Sequence, residues 1–134
     1  MFQGHCYKRQ TQKKKYDEAS ADCSTKEAIL VVPNTKAENE FLVTIMNPNK
    51  VPYTWIGFDY DNNELWEDGT SVSITSDWRI LYNVDDNHDR ANGEPVVFMR
   101  PNGDWSFDSK SNEYQFVCEK LLGMLLEELC IHLY

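Results

Sequence analysis

Residues Val96 to Phe107 read "VVFMRPNGDWSF", and this stretch decides the fold. Two apolar runs flank Asn102-Gly103, the dipeptide best suited to a tight hairpin turn between antiparallel strands. Downstream, "YQFVCEK" (Tyr114 to Lys120) reads as a last strand. Upstream, "TWIGF" (Thr54 to Phe58) reads as an earlier one and "EDGTSVS" as turn chemistry. The later part of the chain is therefore a set of antiparallel strands.

The earlier part is helical in two places. Tyr16, Ala19 and Cys23 fall at helical spacing and form one stripe of an amphipathic helix. "AILVVP" (Ala28 to Pro33) is a β-branched run stopped by proline, which predicts a buried strand. Next, Thr35 followed three residues later by Glu38 is a capping-box start. Ala37, Phe41, Leu42 and Ile45 are its expected buried face. "NPNKVPY" ends that helix. Two early helices, later strands and a long irregular region between Asp59 and Glu94 make an α+β fold with a large loop excursion.

Composition narrows the function. A chain of 134 residues without repeats is expected to be one domain, with a real core. Its net charge of −9 argues against nucleic acid, which needs clustered Lys and Arg to displace counterions. The only basic cluster, Lys13-Lys14-Lys15 with Lys8 and Arg9 nearby, reads as a solvated surface. No apolar run approaches the roughly 20 residues that cross a bilayer. The opening "MFQGHCYK" lacks the charged-then-apolar pattern of a signal peptide, so a leader, if used, is expected to have been removed or to lie elsewhere. Cys6, Cys23, Cys118 and Cys130 form no metal-like CxxC pair. Their spacing points to disulfides and an oxidising, extracellular compartment, with three connectivities open.

Acidic residues concentrate in the excursion. "VDDNHDRANGEP" (Val84 to Pro95) holds Asp85, Asp86, Asn87, His88, Asp89 and Glu94 within a dozen positions. Oxygen donors at that density either grip a hard cation or simply solvate a loop.

In order along the chain, "CYKRQTQKKKYDEASADC", "AILVVPNTKAENEFL", "TWIGF", "LWEDGT", "SDW", "NGDW" and "YQFVCEK" resemble the landmarks of the C-type lectin-like domain. The resemblance covers about Gly4 to Lys120, so residues 1–120 are expected to be that domain and 121–134 an apolar extension. It implies a C-type lectin-like fold and a disulfide between Cys23 on the first helix and Cys118 in the last strand. Trp55, Trp66, Trp78 and Trp105 match the family's core and loop anchors, so packing is their expected role. The family's inner disulfide falls at Val96 and Lys110 and is absent. That leaves Cys6 free, paired outside the chain or joined to Cys130, and because the family's termini lie close together the last is the expectation.

By the same resemblance, sugar-binding members hold calcium and sugar hydroxyls with one set of carboxylates and amides. Asp86 and Glu94 keep oxygen at those positions. Val84 does not, and Asp85 stands where a cis proline shapes the site. After Trp105 come Ser106 and Phe107 instead of Asn and Asp. Asn87, Asp89 or Asp108 is left to supply the missing oxygens, so the sugar site is expected to be degenerate. "DYDNNE", with Asp59, Asp61, Asn63 and Glu64, lies near a position used for auxiliary calcium in some relatives; a polar turn is the simpler reading. The Val32 carbonyl, Glu38 and Glu119 match a structural calcium site away from the ligand face, although capping alone also accounts for Glu38. Calcium is therefore expected at a structural site before the sugar site.

"LLGMLLEELCIHLY" (Leu121 to Tyr134) is too short to span a membrane and too apolar to stay exposed. A helix with Leu122, Leu125, Leu126 and Leu129 on one stripe is expected to dock on its own domain or form a homodimer. Three functions compete. One is an extracellular glycan-recognition module. Another is calcium-independent recognition of a cell-surface protein, supported by the missing Asn-Asp pair and by Phe107, Tyr60 and Tyr82 as surface aromatics. The last is a metal-dependent hydrolase on Asp85, Asp86, His88 and Asp89, for which the sequence supplies no dry, shaped pocket. Non-enzymatic recognition is the expectation.

Overall fold

A computed structural model describes residues 5–46, 52–59, 65–67 and 96–121. In chain order these form β1 (His5–Lys14), α1 (Tyr16–Thr25), β2 (Ile29–Leu30), α2 (Lys36–Met46), β3 (Thr54–Asp59), β4 (Leu65–Trp66), β5 (Val96–Met99), β6 (Trp105–Asp108) and β7 (Tyr114–Leu121). The strands make one sheet in the order β1-β7-β3-β5-β6, with β2 beside β7 and β4 beside β3. All pairings are antiparallel except β3 with β7, which run parallel through Thr54–Gln115 and Trp55–Phe116. The expected α+β architecture is present, and that one parallel pair makes its sheet mixed. β1 is an addition to the expected elements: its basic sequence reads as surface, and its side chains are mostly exposed or half-buried.

Alternation along the strands splits the core between two faces. Trp55, Val96, Phe98, Phe116 and Cys118 pack beneath Tyr16, Ala19 and Cys23 of α1. Their neighbours Ile56, Phe58, Val97, Met99 and Val117 pack with Leu42 and Met46 of α2. A sheet covered on both faces needs apolar residues at consecutive positions, which is why "VVFM" and "FVC" are runs and not alternations. The Cys23–Cys118 disulfide fastens α1 to β7 across 95 residues. Closing so long a loop stabilises the fold by about 4–5 kcal/mol through the unfolded chain.

Local chemistry departs from expectation at three points. Asn102-Gly103 does turn the hairpin, but Met99 pairs with Trp105, so Arg100 to Asp104 form the connection. Gly103 has φ 94°, its N–H donates to the Arg100 carbonyl at 2.9 Å, and Arg100 N–H donates to Asp104 at 2.7 Å. Pro101 after Arg100 suits that wider turn and not a two-residue loop. The buried face of α2 is Glu38, Asn39, Leu42 and Met46; Ala37 is exposed, and Phe41 and Ile45 are half-buried. Two polar residues rotate the face because each has buried work to do. Asn39 accepts from Trp105 Nε1 at 2.9 Å and donates to the Gly103 carbonyl at 3.2 Å. Phe107 is the third correction: expected at the surface, it is buried and packs near Phe58.

Candidate functional site

Three elements bring ionisable side chains to one point. His5 comes from the start of β1, Glu38 from the first turn of α2 and Glu119 from β7. Register explains the meeting: Tyr7 of β1 and Ile29 of β2 both pair with Glu119, so β7 carries this side chain between its two neighbours. α2 starts where the Thr35 hydroxyl accepts the Glu38 N–H at 3.0 Å, as the capping motif predicts. That cap fixes Glu38 in the first helical turn, facing inward. The imidazole and both carboxylates offer donor atoms that all lie within 4.8 Å of one another.

Both carboxylates are deeply buried, at 4% exposure each, while His5 keeps 24%. The Val32 N–H donates to Glu119 Oε1 at 2.6 Å, and His5 Nδ1 lies 2.7 Å from Glu119 Oε2. Tyr7 donates its hydroxyl proton to Glu38 Oε2 at 3.2 Å. Burial pushes the Glu119 carboxyl up to about 7, and the nearby Glu38 charge adds to this, against the opposing pull of Val32 N–H and His5. Tyr7 is raised as well, chiefly by burial and then by the two carboxylates, and so stays a proton donor. Two buried carboxylates facing each other are costly unless a cation or proton is shared between them.

The sequence reading joined Val32, Glu38 and Glu119, and the fold brings these three together with two differences. Val32 meets Glu119 through its N–H, and His5, absent from that reading, completes the cluster. Calcium takes six to eight oxygens. An imidazole nitrogen among two carboxylates is a different kind of donor set, so these three side chains acting together do not match calcium. His5 was missed because a histidine beside the chain start carries no local motif; only its pairing opposite Leu121 places it.

The profile of the Lectin C-type domain matches residues 12–120. The chain belongs to the C-type lectin domain family. Human asialoglycoprotein receptor 2 is 35% identical over 123 residues, which are 88% of this chain and 38% of the receptor. The chain thus spans under half the length of that relative. Among solved structures, the trimeric Kupffer cell C-type lectin receptor superposes with a TM-score of 0.77 at 27% identity, covering 93% of this chain and 83% of that one. The carbohydrate-recognition domain of cow CD23, solved in the presence of a GlcNAc2Man3 oligosaccharide, gives 0.71 at 25% identity, covering 91% and 92%.

Within this lectin domain, the other expected site residues are mostly not in view. Asp86, Asn87 and Glu94 lie outside the described residues, as do Asp61, Glu64 and Cys130. Asp59 ends β3, where its backbone pairs with Leu65 and Val96. Asp108 is described, and its carboxylate is engaged: Oδ1 accepts from Ser109 N–H at 2.7 Å and Asn112 Nδ2 at 2.8 Å, and Oδ2 from the Tyr114 hydroxyl. Those bonds fold the β6–β7 connection back on itself. Cys6 is buried and disulfide-bonded, and no cysteine is free among the described residues. Among those residues no helix is long and apolar enough to cross a membrane.

Proposed function

We propose that this chain is an extracellular carbohydrate-recognition module of the C-type lectin kind, with no catalytic role. The observation that carries it is the family match over residues 12–120 together with 35% identity to a receptor named for asialoglycoproteins. The CD23 domain solved with an oligosaccharide supports the same reading. A disulfide joining α1 to β7 suits a protein working outside the reducing cytosol. The glycan face is assigned to the loops between β4 and β5, with Asp86, Asn87 and Glu94 as its oxygen donors, and calcium is the ion such a set takes. The acidic positions Asp59, Asp61 and Glu64 serve as a polar turn or an auxiliary ion site. The apolar segment 121–134 is assigned to contact with a second copy.

One observation favours a second reading, recognition of a cell-surface protein without calcium. Ser106 and Phe107 stand where sugar-binding members resemble one another in an Asn-Asp pair, and both are buried. Thermal unfolding in calcium and in chelator separates the two. A ligand that binds only the native state raises the midpoint. The lectin reading expects a rise in calcium, increased further by a bound saccharide and lost in Asp86→Ala and Glu94→Ala. No response to calcium or to any saccharide, with tight binding to a cell-surface protein instead, would favour the second reading.

A further inference from the structure

We infer that His5, Glu38 and Glu119 form a binding site for a borderline divalent cation, zinc being the representative, and not a calcium site. The donor set decides the class. One imidazole and two carboxylates match zinc, which takes His nitrogen and Asp or Glu oxygen in tetrahedral sites with water in an open position. Calcium gains nothing from a nitrogen, and among the described residues these are the only His, Cys, Asp or Glu side chains that come together in this way.

The geometry is near what zinc asks. Ligand atoms bonded tetrahedrally at about 2.0 Å stand about 3.3 Å apart. The three donors lie within 4.8 Å of one another, and His5 Nδ1 approaches Glu119 Oε2 to 2.7 Å. Small side-chain movements bring all three to a common centre. The remaining contacts are those that orient metal ligands from outside: Val32 N–H holds Glu119 Oε1 and the Tyr7 hydroxyl holds Glu38 Oε2. A dication there also offsets the repulsion of two carboxylates buried to 4% exposure. Binding ties β1, α2 and β7 at one junction, so occupancy is read in the unfolding midpoint.

The inference does not depend on glycan recognition, and its test reads metal alone. Zinc chloride titrated into the full chain, purified in chelator and dialysed free of it, is followed by calorimetry and thermal unfolding. One zinc per chain, a raised unfolding midpoint and little response of this site to calcium are expected. His5→Ala lowers zinc affinity on the order of 100-fold, whereas His88→Ala and His132→Ala leave it unchanged. His5 is partly exposed, so this variant keeps its core and remains a folded control. Cobalt(II) placed in the wild type gives visible absorption from an imidazole-carboxylate site, and the His5→Ala protein loses it. Zinc affinity unaffected by His5→Ala would overturn the proposal. So would calcium stabilisation that survives His5→Ala but vanishes in Glu38→Gln, and so would no zinc binding to the wild type at micromolar concentration.

Discussion

Glu119 shows how much one side chain is asked to do. It accepts from the backbone of the segment after β2, contacts the imidazole of β1 and faces the carboxylate of α2. Burial raises its carboxyl from 4.5 to about 7, so in metal-free protein the folded state holds a proton that the unfolded chain gives up more readily. That contribution to stability is full below about pH 4.5 and is lost as pH rises through about 7. Glu119→Gln keeps an acceptor for Val32 and removes the titration. In chelator, the stability of wild type relative to Glu119→Gln should therefore fall between pH 5 and pH 8, read from urea midpoints; a constant difference contradicts the assignment. The residues of this cluster were only partly legible in the sequence. Glu38 and Glu119 were marked by the family resemblance, but His5 is 114 positions from Glu119 and meets it only through strand pairing.

At the scale of elements, the strands and helices follow from short-range signals, and the errors come from what packs above them. "TWIGF", "AILVVP" and "YQFVCEK" read as strands because β-branched and aromatic residues sit between turn residues, and β3, β2 and β7 lie on them. The face of α2 was misread because periodicity counts apolar residues, whereas the buried positions include Glu38 and Asn39, held by polar partners. Phe107 was misjudged for the opposite reason: the sugar-site comparison drew attention to its position, but strand alternation sends it into the core. Gly57 is legible only with neighbours in place. A Cβ there would stand 2.7 Å from the Leu30 carbonyl oxygen, and Gly57 N–H also bonds the Val31 carbonyl at 2.8 Å. Backbone at that distance cannot step aside as a flexible side chain would. Gly57→Ala should destabilise the domain by about 1–3 kcal/mol, seen as a lower denaturant midpoint with an unchanged slope; an unchanged midpoint contradicts the close β2–β3 approach.

For the whole molecule, the order of motifs carried more information than any one of them. Seven ordinary stretches in the right sequence pointed to the lectin fold, and the fold then placed Cys23 against Cys118 with Cα atoms 5.4 Å apart. A covalent tie between α1 and β7, with apolar layers on both sheet faces, makes a stable base from which loops can recognise a ligand. The proposed glycan face is the least legible part. Recognition by such a face would depend on how loops juxtapose oxygens, and the residues assigned to it, Asp86, Asn87 and Glu94, are separated in sequence from Asp108 by the β5–β6 hairpin. The direct measurement is binding of the fluorescently labelled chain to a glycan array in calcium and again in chelator. Reproducible binding to a related set of glycans, reduced at least tenfold in chelator and in Glu94→Ala, is the predicted result; a blank array in both conditions with correctly folded protein contradicts the account.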